Sequence, residues 1–376
     1  MKFHISYNSI ALSLLACSMA LTSCSTDDND APAADSGISF SLSARLADMT
    51  PARSGAAEEK IVIPSSDNDD FCLEITGTPA SRNVSRSSCY TYVRDAKLFC
   101  YLWHNDEGWT ANLSPNLIYG YNAQFNSYTE PTLIKVTGEG QHKGLGLGFN
   151  IGVFGYSPQE SPNAEPMAVT EKAYPYVTYM LPQDASQHED FTLGFYNISE
   201  YLGGHHMMEF YHALSAVKVQ VHPDASHSEN TNGTVKARYV AALRLTNLYI
   251  GGKCELEYET TRTGLITNGI KWSGLRRQPG LAIAADFSRE EGLITENGVS
   301  LSVGTPPETP NLYFNSTFMM VPQTTPAGAD LCVIVNEEKA EGTGSSMVNQ
   351  QTHFSMGNIT FKPGYVYTLT VMKNRS

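Results

Sequence analysis

An all-β fold is what this sequence predicts, and three observations predict it. Tyr and Phe are plentiful at 20 and 15 residues, Gly and Pro at 30 and 19, whereas charged residues make up only 17%. Such proportions suit strands joined by turns better than solvent-facing helices. Apolar residues recur at every second position in short runs, the period of a half-buried strand. No segment holds a helical period beyond about two turns. Short strands at frequent intervals with Gly, Pro and Asn between them argue for β-sandwiches, and 376 residues accommodate two of ordinary size.

The chain opens with Met1–Lys2–Phe3–His4, an apolar stretch Ile10–Cys17, and Leu21–Thr22–Ser23–Cys24. The apolar stretch is too short to span a bilayer and stay there, so residues 1–23 read as a secretory signal. Small residues before a cysteine form a lipobox, in which the Cys24 thiol takes up diacylglycerol and becomes the membrane-held N-terminus. Residues 24–37 are then an acidic, low-complexity tether, expected to be disordered.

Strands follow. Ile38, Phe40, Leu42, Ala44 and Leu46 alternate with polar residues, and Phe71, Leu73 and Ile75 repeat the pattern. Residues 79–88 lack an apolar pattern and read as an exposed loop. Val93–Trp103 is a strand, as is Leu147–Tyr156 before a Pro-rich loop. Tyr174–Met180 carries Pro175 and is expected at an edge, because proline donates nothing to a ladder. Met207–Leu214 leads into Ala216–Val221, and Val240–Ile250 ends at Gly251–Gly252. Phe318–Gln323 and Leu331–Val335 are expected to pair, and Tyr365–Val371 is the last strand. A seam near Gly203–Gly204 divides the chain into sandwiches over 38–203 and 204–376.

The net charge of −13 leaves no basic stripe for nucleic acid and mainly serves solubility. Of seven cysteines, Cys17 departs with the signal and Cys24 is acylated, leaving Cys72, Cys89, Cys100, Cys254 and Cys332. None has zinc-site spacing; Cys100 and Cys332 sit in apolar runs as small hydrophobes, and a Cys72–Cys89 disulfide is open. His205, His206 and His212 are the nearest approach to a metal set, but neighbours on a strand face opposite ways. Gly144–Gly148 lacks the Lys and Ser or Thr of a phosphate loop. Glu255, Glu257 and Glu259 line one strand face, expected to be solvated, and Tyr119, Tyr121, Phe125 and Tyr128 suit either a glycan platform or ordinary packing. No Ser/His/Asp arrangement on a nucleophile elbow is recognisable, and the chain reads as non-enzymatic with no cofactor.

Several blocks in order carry a family resemblance: the lipobox, the Arg-containing loop before Val93–Leu102, Phe149–Tyr156 with a following proline, Met180–Asp184 with Glu189–Phe191, Phe210–Ser215, Met320–Gln323, and Pro363–Tyr367. Together they resemble the fimbrillin family, subunits of type V pili of anaerobic Gram-negative bacteria. The resemblance implies two tandem transthyretin-like (Greek-key) β-sandwiches, export as an outer-membrane lipoprotein, and assembly into a surface fibre. It further implies that an Arg-specific protease removes the lipid with an early strand, and that a strand of another pilus subunit fills the gap by β-augmentation. Two windows offer the cut: Arg82 or Arg86 after the Phe71–Ile75 strand, and Arg53 or Arg45 after the Ile38–Leu46 strand. Local polarity and the spacing to Val93 favour Arg82 and Arg86, and ordinary solvated arginines are the alternative. Only five residues follow Val371, so no spare strand is available to donate. That favours a tip subunit, an adhesin with a host or bacterial surface ligand, over a stalk subunit, and an anchor that keeps its lipid is the third alternative. The competing reading is a glycan-binding surface lipoprotein of a polysaccharide-uptake system.

Overall fold

Alternation decides which way each strand faces, and Ile38–Leu46 shows it: Phe40, Leu42, Ala44 and Leu46 are buried, while Ser41 and Arg45 are half-buried. The structure, a computed structural model, describes residues 38–47, 59–80, 93–104, 116–125, 131–136, 149–167, 174–198, 205–225, 235–261, 264–303, 316–341 and 344–374. Among these residues the regular structure is strand, apart from 3-10 turns at Ala185–Gln187 and Pro223–Ala225, and turns and loops link the strands. No helix there is long and apolar enough to cross a membrane.

In chain order the first strands are β1 (Ile38–Leu46), β2 (Glu59–Pro64), β3 (Phe71–Pro79), β4 (Asp95–His104), β5 (Asn116–Gln124), β6 (Thr132–Val136), β7 (Phe149–Ser157) and β8 (Ala164–Pro166). Then come β9 (Tyr176–Met180), β10 (Thr192–Ile198), β11 (His205–His212), β12 (Ser215–Val221), β13 (Val235–Thr246), β14 (Tyr249–Thr261), β15 (Gly264–Arg277) and β16 (Leu281–Asp286). The last are β17 (Val299–Leu301), β18 (Phe318–Met320), β19 (Gln323–Thr324), β20 (Asp330–Glu341), β21 (Gly344–Ser355), β22 (Thr360–Phe361) and β23 (Tyr365–Lys373). The all-β expectation is met, with sheets stacked as sandwiches.

Seven strands form the first sheet, in the order β5-β4-β7-β10-β11-β1-β6. Its two edges come together, since the Thr132 hydroxyl on β6 donates to the Gln124 carbonyl on β5 at 2.6 Å. The sheet therefore curls, and its concave face encloses a small core: Phe40, Leu42, Ala44 and Leu46 with Val93, Ala96, Leu98, Cys100, Ala123, Phe125, Val153, Met208 and Phe210. Its other face presents Phe99, Tyr101, Phe154, Tyr156, Leu193 and Phe195 to a larger core shared with the remaining sheets. Strand β4 is thus apolar on both faces, which is why its sequence reads as a nearly continuous apolar run.

The second sheet runs β17-β12-β23-β3-β2, with β18 also on β12. Two further sheets are β16-β13-β20-β21 and β15-β14-β9-β8, and β19 pairs β22. Phe318–Met320 does not pair with the Leu331–Val335 segment, contrary to the sequence expectation. Pro322 interrupts the chain after β18, which stays on β12, while β20 lies between β13 and β21. Nor is β9 an edge: Pro175 precedes it, and β8 and β14 flank it. The Gly203–Gly204 seam falls between β10 and β11, which are hydrogen-bonded to each other. Across it, β3 pairs β23 and β9 pairs β14.

Candidate functional site

Among the described residues β1 is the earliest strand, and it lies between two others. It is inserted near the end of the curled sheet, parallel to β11 from Ser41–His205 to Leu46–Phe210 and antiparallel to β6 from Ile38–Val136 to Leu42–Thr132. Each second side chain points into the small core, so β1 supplies four of its 13 buried members. Fully burying a Leu or Phe contributes about 1.5–3 kcal/mol, so the strand is held mainly by Phe40, Leu42 and Leu46. Its other face bonds to β11: Ser43 Oγ lies 2.7 Å from His205 Nε2, and Arg45 Nε donates to Glu209 Oε1 at 2.9 Å. Taking β1 away leaves one rim of β11 and one of β6 without ladder partners, above a core with four residues missing.

Of the predicted site residues, only Arg45 is described. It lies within β1, ion-paired to Glu209 and about half exposed. Cys24, Arg53, Arg82 and Arg86 lie outside the described residues. In the sequence, Arg53 falls between β1 and β2, and Arg82 and Arg86 fall between β3 and β4. Those two windows differ in what a cut would free. The β2–β3 hairpin belongs to the second sheet, where β3 pairs β23 from Tyr365–Pro79 to Lys373–Phe71. Its turn is also anchored, because the Ser66 N–H donates to the His353 carbonyl at 2.9 Å. Phe71, Leu73 and Ile75 are buried in the large core.

The segment between β9 and β10 joins the first sheet to the others. His188 accepts the Met319 N–H on Nδ1 at 2.9 Å, so the proton sits on Nε2, which donates to the Pro182 carbonyl at 2.9 Å. Burial pushes this imidazole down to about 4. Next to it, the buried Glu189 carboxylate accepts from Ser161 and Asn163, yet burial still raises it above the ordinary value. Asp190 and His212 are in contact at 2.9 Å. The unfolded chain protonates at His188 from the ordinary 6.5, whereas the native site refuses the proton until about 4. Stability from His188 is therefore complete above pH 6.5 and drains away as the pH falls to 4. Glu189 works in the opposite sense, contributing most in acid and losing its contribution as the pH rises past 4.5. In urea unfolding, the stability advantage of the native chain over H188Q is expected to shrink by roughly 3 kcal/mol across the His188 window.

The remaining candidates resolve into structure. His205 and His206 lie on β11 rather than in a loop, and they face opposite ways. His205 meets Ser43, and His206 stands against Tyr196 and Phe40 with ring centroids at 5.3 and 6.2 Å. No group of three metal-ligating side chains occurs among the described residues. Glu255 and Glu257 face outward on β14, Glu255 beside Lys253 at 3.0 Å. Phe125 is core, not platform. Cys72, Cys100, Cys254 and Cys332 are free buried thiols, and burial pushes Cys100 up to about 12 and Cys332 to about 11. Gly144–Gly148, Cys89 and Tyr128 lie outside the described residues. What sequence reasoning missed is β11 as the partner of β1. Its signal was the Met208 and Phe210 alternation, visible in the Met207–Leu214 run without any hint of its neighbour.

No protein-family model and no curated protein matches the chain. Among solved structures, a candidate cell adhesion protein from Bacteroides eggerthii is 12% identical, with 91% of this chain and 87% of that chain covered and a TM-score of 0.38. A second candidate cell adhesion protein, from Bacteroides ovatus, is 10% identical, with 86% and 98% covered and a TM-score of 0.35. A candidate adhesin from Bacteroides thetaiotaomicron is 10% identical over 76% of this chain and 70% of that chain, with a TM-score of 0.29.

Proposed function

We propose that this chain is the lipoprotein precursor of a fimbrillin-type pilus subunit, assembled by strand exchange and placed at the fibre tip. Cys24 carries the lipid during export, and a cut after Arg53 then frees β1 together with the anchor. A neighbouring subunit lays its own strand between β11 and β6. The observation that carries this reading is the seating of β1: it is the first strand among the described residues, it lies between two others, and its side chains complete the small core. Arg53 is preferred over Arg82 and Arg86 because a cut after either of those also frees β2 and β3, opening the second sheet and the large core. Receiving without giving is supported by β23, whose Tyr367, Leu369 and Val371 are built into the large core.

Heating the outer-membrane fraction in detergent tests the reading. A subunit joined through a full ladder and buried side chains should run as a series of oligomers that boiling collapses. A chain that runs only as a monomer, and shifts on adding a glycan, contradicts assembly and supports the glycan-binding alternative.

A further inference from the structure

We infer that the place occupied by β1 selects its strand by side chain. The occupant it fits is an extended segment of a neighbouring protein with a large apolar, an aliphatic, a small and a second aliphatic residue at alternate positions, and a base directly after the small one. This rests on the strand-exchange reading and adds to it the chemistry of the partner. The inward positions are filled by Phe40, Leu42, Ala44 and Leu46, each at most 5% exposed.

The small residue is set by what stands beside it. Ala44 is opposite Met208 on β11, and both are fully buried. Behind Met208 the floor is already tight, because a Cβ on Gly194 of β10 would come within 2.9 Å of the Met208 methyl. A larger side chain at the Ala44 position must therefore displace Met208, whose methyl already fills the space over Gly194.

The base is set by the outer face. Glu209 is in register with Arg45 and accepts from its Nε at 2.9 Å. With side chains 40% and 34% exposed, the pair adds little affinity. Its effect is to discriminate: an acidic residue at that rung meets the Glu209 carboxylate, and a slip of one residue turns the base inward. The Ser43 rung, fully buried and 2.7 Å from His205, admits a hydroxyl on the same face.

The test uses the full chain, nicked at a protease site inserted within residues 48–58 so that β1 stays seated. Labelled peptides with the Ile38–Leu46 sequence compete for the place, followed by fluorescence anisotropy. The native peptide should be taken up. The Arg45→Glu peptide is expected to bind about tenfold more weakly, and the Ala44→Phe peptide about a hundredfold more weakly. An E209K chain should prefer the Arg45→Glu peptide, and a milder E209Q chain should lose the discrimination. Equal uptake of all three peptides overturns the selectivity while leaving strand exchange intact. No uptake of any peptide overturns strand exchange, and the selectivity with it.

Discussion

Leu42→Asp is expected to keep β1 from seating in the full chain, at a cost of more than about 4 kcal/mol in urea unfolding. Leu42 is fully buried among the apolar side chains of the small core. Placed there, the new group must either ionise in an apolar interior or take up a proton, and both routes are costly. The adjacent substitution Ser41→Asp changes the same ladder but points the carboxylate outward, where Ser41 is half-buried. That control should move stability by less than about 1 kcal/mol. Because side chains alternate along a strand, the contrast between neighbours reports directly on which face of β1 meets the core. Equal losses at both positions would mean that β1 is not seated as described.

Arg53→Ala should abolish the detergent-resistant oligomers and leave the protein on its lipid, whereas Arg82→Ala and Arg86→Ala should leave assembly unchanged. The asymmetry follows from the sheets. Cutting between β1 and β2 takes one strand from the curled sheet, leaves β6 its Thr132 bond to the Gln124 carbonyl of β5, and spares the second sheet. Cutting between β3 and β4 also strips β23 of its nine-residue pairing with β3, and it removes Phe71, Leu73 and Ile75 from the large core. Losing three buried side chains of that size costs several kcal/mol on its own, enough to threaten a chain of ordinary stability. A processing event that must leave a folded receiver avoids that loss. Electrophoresis of membrane fractions from the three variants separates the alternatives.

Much of this architecture is legible in the residues, and what escapes is legible only in space. The Ile38–Leu46 alternation gives β1 its bounds and its buried face, because a half-buried strand writes its period into the sequence. Strand β4 is equally plain, although its double-faced burial reads simply as apolar. Pairing is another matter. Nothing in Phe71–Ile75 says that its partner is Tyr365–Lys373, and nothing in Tyr176–Met180 points to Gly251–Glu255. Such ladders are chosen by the packing of whole sheets, so neighbours in sequence were the natural guess for Phe318–Gln323 and Leu331–Val335. The long arms β14, β15, β20 and β21 also outrun their apolar patterns, since their outer ends carry Thr, Glu, Asn and Gln. His188 shows the same limit: its role depends on a backbone N–H from Met319, remote in the chain.

What happens to β1 is measured most directly by sequencing the N-terminus of oligomers sheared from cells. Material beginning at Ser54 is the predicted result, with β1 gone and its place filled by another chain. Assembled oligomers that still begin at the acylated Cys24, β1 included, would contradict it.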